Sequence, residues 1–97
     1  MNFNDLNKAF DNRIRLGLMS ALAVNDELNF NTLKELLQIT DGNLASHLRS
    51  LEENGYVRFR KGFIGRKTNT VYSITCEGEI AFKEHLQLLE KIIQDVR

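Results

Sequence analysis

Asp41-Gly42-Asn43-Leu44-Ala45-Ser46-His47-Leu48-Arg49-Ser50-Leu51-Glu52-Glu53-Asn54-Gly55-Tyr56-Val57 is the stretch on which the fold turns. Leu44, Ala45, Leu48 and Leu51 recur at the spacing of an amphipathic helix, which the pattern predicts from about Asn43 to Asn54. Gly55 stands where a helix ends in a left-handed residue, a conformation glycine adopts at little steric cost. At roughly 100° per residue, Asn43, Ser46, Arg49, Ser50 and Glu53 fall opposite the leucines, with His47 on the shoulder.

Upstream, Leu33, Leu36 and Leu37 make one apolar face over Thr32 to Gln38, with Asn31 as its expected N-cap and Glu35 close behind. Ile39-Thr40-Asp41-Gly42 breaks the period and suits a tight turn. A short helix, a turn and a second helix over about 31–54 form a helix-turn-helix.

Downstream, the period changes. Tyr56 to Ile64 and Thr70 to Ile74 are rich in aromatic and β-branched residues, with Gly65-Arg66-Lys67-Thr68-Asn69 between them. A β-hairpin with a basic tip is expected over 56–74, with Phe63 and Ile64 in its core. Thr75 caps a last helix over 75–97, with Glu77 and Glu79 in its first turn.

At the other end, Leu6, Phe10, Ile14, Leu18 and Leu22 recur every four residues, widened by Leu16, Met19 and Ala21. Asp11 or Asn12 can start that helix afresh, which would leave a separate lead-in turn before it. Leu28-Asn29-Phe30 is short and extended at most. The expected class is α+β, mainly α: a three-helix core, a two-stranded wing and a long C-terminal dimerisation helix, in one domain over 1–97.

Bulk properties narrow the function. No apolar run approaches the roughly 20 residues of a membrane span. Met1-Asn2-Phe3-Asn4-Asp5 has no leader character. Cys76 is the only cysteine, which excludes an intramolecular disulfide and fits a reducing cytoplasm. It is expected as a small buried filler. The net charge is zero, but residues 43–68 hold six basic and two acidic side chains, a local +4. Phosphate contact needs such a patch more than it needs overall charge.

Asn43, Ser46, His47, Arg49 and Ser50 are the candidates for contact with bases and nearby phosphates, because small polar and donor side chains on one helix face suit the major groove. Arg58, Arg60, Lys61, Arg66 and Lys67, a run without an acid among them, are the candidates for backbone or minor-groove contact. Ala81, His85, Leu88 and Ile92 form one stripe of the last helix, and Phe82, Leu86, Leu89, Ile93 and Val96 another. That apolar face is too wide for one small domain to cover. A two-fold dimer is expected, with Leu6, Phe10, Phe82, Leu86, Leu89, Ile93 and Val96 in its interface and His85 satisfied there. No phosphate-binding glycine loop, nucleophile elbow or HExxH is present, and no cofactor or metal is indicated; the sequence leaves open whether a small-molecule effector binds.

From about Asn12 to Ile93 the sequence resembles the winged-helix regulators related to the MarR and ArsR families, and is most similar to their short subgroup described simply as a winged helix DNA-binding domain. Arg13-Ile14-Arg15-Leu16-Gly17-Leu18-Met19, Leu33-Lys34-Glu35-Leu36-Leu37, the stretch 41–57, Phe63 to Thr75 and Glu77-Gly78 carry the resemblance. It implies a homodimeric repressor or activator on an inverted-repeat operator in double-stranded DNA, its third helix in the major groove. The paired cysteines and Cys/His clusters of metal-sensing relatives are missing. The alternative is a winged helix that serves as a protein-interaction adaptor and never touches DNA, a reading supported by the zero net charge.

Overall fold

The computed structural model describes residues 2–97; Met1, the first residue of the expected domain and of the stretch read as lacking leader character, lies outside them. Asn12 decides how the chain begins. Its backbone is extended, and its side chain accepts the N–H groups of Ile14 and Arg15 at 2.9 and 3.1 Å. Helix α1 (Arg13–Ala23) therefore starts there. The four-residue stripe from Leu6 to Leu22 is not one helix. The segment before Asn12 folds as two 3₁₀ turns, Phe3–Asp5 and Lys8–Phe10, each opened by an asparagine (Asn2, Asn7) whose side chain captures a backbone N–H.

Strand β1 (Leu28–Asn29) leads straight into α2 (Phe30–Leu37). The cap is Asn29, which accepts from the Thr32 N–H at 2.8 Å, two residues earlier than expected. Helix α2 closes on Gln38 in the left-handed region, φ 52°. Helix α3 (Asp41–Glu53) is capped by Thr40, so Asp41 and Gly42 belong to its first turn and not to the connection. Asp41 there favours the helix dipole and bridges back to Lys34 at 2.8 Å. The end of α3 follows the leucine stretch closely. Gly55 takes φ 79°, its N–H donates to the Glu52 carbonyl, and the Tyr56 N–H donates to the Leu51 carbonyl. This is a Schellman ending.

Strands β2 (Val57–Ile64) and β3 (Lys67–Ile74) pair antiparallel from Val57↔Ile74 to Ile64↔Lys67. Only Gly65 and Arg66 are left as the turn, with Gly65 at φ 64°. The expected five-residue tip is thus mostly strand. Strand β1 pairs with β3, Leu28 opposite Tyr72, and makes the wing root a three-stranded sheet in the order β1-β3-β2. Helix α4 (Cys76–Asp95) is capped by Thr75, whose Oγ accepts the Gly78 N–H and donates to the Gly55 carbonyl. Gly78 lies against the Tyr56 backbone, where a Cβ would collide with the carbonyl. That close approach sets α4 across the end of α3.

The core is built from Leu18, Met19 and Leu22 of α1, Leu33 of α2, and Leu44, Leu48 and Leu51 of α3, closed by Val57, Phe10 and Phe82. Several expectations need correction. Ala45 and Leu36 are exposed, because the buried arc of each short helix is narrower than its apolar stripe. Phe63 and Ile64 are exposed at 74% and 66%, since the hairpin extends beyond the helices that cover its root. Cys76 is exposed. Phe10 and Phe82 are spent inside the chain itself. Their rings meet edge to face at 5.5 Å, and Phe10 also packs on Tyr56 and His85. Neither presents a surface to a partner.

Candidate nucleic-acid interface

Helix α3 turns its leucines inward, and that alone points Asn43, Ser46 and Arg49 into solvent. Ser50 and His47 are half-buried at the edge of the same face. His47 leans on α1, where its Nδ1 lies 3.1 Å from Nη1 of Arg15. Burial first, and the Arg15 charge second, hold the imidazole below its ordinary pKa, so the ring is biased towards neutral. Arg15 was not among the sequence candidates. Its contact depends on how α1 crosses α3, and no local pattern encodes that.

The wing meets α3 on one face only. Cross-strand partners share a face of a sheet, so Val57, Phe59, Lys61 and Phe63 lie on one side with Ile74, Tyr72, Thr70 and Thr68. A cleft of about 190 Å³ runs between this face and α3, and brings Arg49 and Lys61 together beside Glu52. Burial raises the Glu52 carboxyl above its ordinary pKa, with Arg49 opposing and Glu53 adding to the shift.

Arg58 and Arg60 occupy the other face. Arg58 Nε donates to Ser73 Oγ at 3.1 Å, and Arg60 Nη2 reaches both carboxylate oxygens of Glu27 at 3.1 Å. Glu27 was not anticipated either, because it comes beside β2 only through the β1–β3 pairing. Arg66 and Lys67 are exposed at the hairpin turn. The ten expected residues therefore divide into three groups. Asn43, Ser46, His47, Arg49, Ser50 and Lys61 gather on the α3 side, Arg66 and Lys67 sit at the tip, and Arg58 and Arg60 lie on the far face with polar partners of their own.

A second cavity, about 340 Å³, lies between the 3₁₀ turns, the start of α1 and α4; Leu6, Asn7, Phe10, Leu16, His85 and Leu89 line it. His85 is buried there and accepts a backbone hydrogen bond within its own chain, not across the interface expected from the sequence. Leu6 and Leu89 are half-buried, whereas Leu86 and Ile93 of α4 and Val96 just past its end are exposed. Among the described residues, no group of three or more His, Cys, Asp and Glu side chains is placed to hold a metal ion. Nor is any helix among them long and apolar enough to cross a membrane.

The geometry has close counterparts. A protein of Methanocaldococcus jannaschii is 35% identical over 89 residues, which cover 92% of this chain and 97% of that protein. The solved transcriptional regulator homologue protein of Pyrococcus horikoshii is 36% identical, with a TM-score of 0.83 over 91% of this chain and 89% of that one. Reduced HlyU of Vibrio cholerae is 27% identical, with a TM-score of 0.68 over 84% of this chain and 81% of its own. A MarR-family protein of Enterococcus faecalis, at 23% identity and a TM-score of 0.76 over 89% and 80%, shares the fold. The family described as winged helix DNA-binding domain matches residues 14–93, from the second residue of α1 almost to the end of α4. With a core of three helices and α4 beside it, a wing built on β1, and α3 facing outward, this chain belongs to the winged helix DNA-binding domain family.

Proposed function

We propose that the chain is a regulator of transcription that binds double-stranded DNA sequence-specifically as a homodimer. The observation that carries this reading is the cleft joining α3 to the wing. Arg49 and Lys61 flank it, and the small polar face of Asn43 and Ser46 projects beside it. Helix α3 enters the major groove, where small side chains allow close approach and Asn and Arg pair with base edges. The tip cations, Arg66 and Lys67, lie on the backbone or in the minor groove.

Leu86 and Ile93 of α4, with Val96 just past its end, leave an apolar strip that a second copy covers, with Leu89 and Leu6 at its border. A two-fold dimer of this kind sets two copies of α3 about one helical turn apart, and the operator is then an inverted repeat. Selection of bound duplexes from a random pool tests binding, palindromy and dimer together. Recovery of an inverted repeat bound in a salt-sensitive manner supports the reading. No salt-sensitive binding to any duplex would point instead to a protein-interaction adaptor.

A further inference from the structure

Arg15 leaves α1 towards two partners. Its Nε donates to the Ala9 carbonyl at 2.6 Å, and its Nη1 lies 3.1 Å from Nδ1 of His47 on α3. The first contact is an anchor. Ala9 is buried in the second 3₁₀ turn, and the Asn7 side chain accepts the Ala9 N–H at 2.9 Å, so the carbonyl that holds Arg15 belongs to a fixed turn.

The second contact has a chemical consequence. A guanidinium carries donors only and keeps its proton at every physiological pH. Nδ1 of His47 can bond to it only as a bare acceptor. The proton of the neutral ring then resides on Nε2. Burial and the Arg15 charge both disfavour a second proton on this ring.

We propose that Arg15 is a positioning residue for DNA recognition: by occupying Nδ1 it locks His47 as the Nε2–H tautomer, so that α3 offers one donor at this position and takes an acceptor on the DNA. The inference rests on the DNA-binding reading above. The acceptor is a base-edge oxygen or nitrogen, such as guanine O6 or N7, or a phosphate oxygen; the amino groups of cytosine and adenine are excluded. A free histidine would offer either nitrogen as donor, or both once charged, and would discriminate less.

Two measurements test the lock. Imidazole 1H–15N correlation spectra of the full-length 15N-labelled chain read the tautomer directly. The wild type should show His47 neutral with the proton on Nε2, and R15M should show a tautomer mixture and a pKa nearer the ordinary value. Duplexes selected by the wild type are then titrated with a double-mutant cycle. R15M should weaken binding about tenfold, the scale of one lost base contact. H47Q keeps an amide donor near the Nε2 position without needing Arg15, so adding R15M to H47Q should cost less than about twofold.

With H47A, a loss confined to one base pair of the selected site marks a base acceptor, and an equal loss on all duplexes marks a phosphate oxygen. A wild-type proton on Nδ1, or an equal R15M loss in both backgrounds, overturns the proposal and leaves Arg15 as a support for Ala9 alone. Failure of the wild type to bind any duplex while the spectra behave as expected is a failure of the DNA-binding reading, not of the lock.

Discussion

The backbone N–H of Asn7 donates to Nδ1 of His85 at 3.2 Å, across 78 residues of chain. The same asparagine donates from Nδ2 to the Tyr56 hydroxyl at 3.0 Å. One residue of the lead-in segment thus ties the N-terminal turns both to α4 and to Tyr56, the residue after the glycine that ends α3. The bond to His85 requires a bare Nδ1, because a protonated ring would set one donor against another.

That requirement gives stability a pH dependence. Burial lowers the His85 pKa below its ordinary 6.5, and Asp11 only partly opposes the shift. His47 is lowered as well, by burial and Arg15. Between the folded and unfolded values the unfolded chain binds more protons, so stability rises with pH in that window. The contribution is complete above about 6.5 and is lost as pH falls through the unfolded value towards the folded one. The urea midpoint should therefore drop between about pH 7.5 and pH 5.5. H85Q, which can accept from Asn7 through its amide oxygen and does not titrate, should flatten that slope. An H85Q slope equal to the wild type's would remove His85 as its source.

Two glycines in helices should respond to alanine in opposite directions. A Cβ on Gly78 meets Tyr56 backbone, which cannot move without unseating the end of α3. G78A is expected to cost about 3 kcal/mol, at the upper end for an overpacked site. Gly42, in the first turn of α3, has no atom within 4 Å of an added Cβ. G42A should stabilise by up to about 1 kcal/mol, because alanine loses less backbone entropy in a helix. Thermal melts of the two variants decide the matter.

The division of the wing cations predicts unequal effects on DNA binding. Replacing Arg66 and Lys67 together with alanine should weaken binding to all sequences and reduce the salt slope by roughly two units. R60A should change the slope less, because Arg60 is already paired with Glu27 on the face turned from α3. E27Q should strengthen non-specific binding slightly by freeing that charge. Anisotropy titrations over a range of salt read all three, and equal slope changes for Arg60 and the tip pair would refute the view that the Glu27 pair withholds Arg60 from DNA.

Sedimentation separates interface from core on α4. Ile93 and Val96 are exposed at 71% and 70%. If α4 carries the proposed dimer contact, I93D with V96D should yield a folded monomer where the wild type sediments as a dimer. F82D should instead unfold the chain, because Phe82 packs against Phe10 and burying an unpaired carboxylate costs several kcal/mol. Sedimentation unchanged by the Ile93 and Val96 substitutions would refute the proposed contact on α4.

Much of the fold was legible from local signals. The leucine stripe of α3, the glycine that ends it and the threonine that caps α4 act within a few residues of themselves, so chemistry at short range is enough to read them. The wing was legible in kind but not in register. Gly65 and Arg66 alone make its turn, because pairing between strands carries β3 back to Lys67. Register also decides parity: a shift of one residue would turn every side chain to the opposite face. For that reason the sequence presented five wing cations as one group, and cross-strand pairing divided them.

By itself the sequence determined the order of the helices, that Gly55 ends α3, that Thr75 caps α4, and that α3 carries a polar outer face. It also established that parts of α1 and α4 must be covered by something. Only the tertiary structure decided by what: Phe10 and Phe82 cover each other, His85 meets Asn7, and Arg15 meets His47. Those pairs join residues far apart in the chain, and their contacts follow from how the helices cross, a property that no local stretch of residues contains.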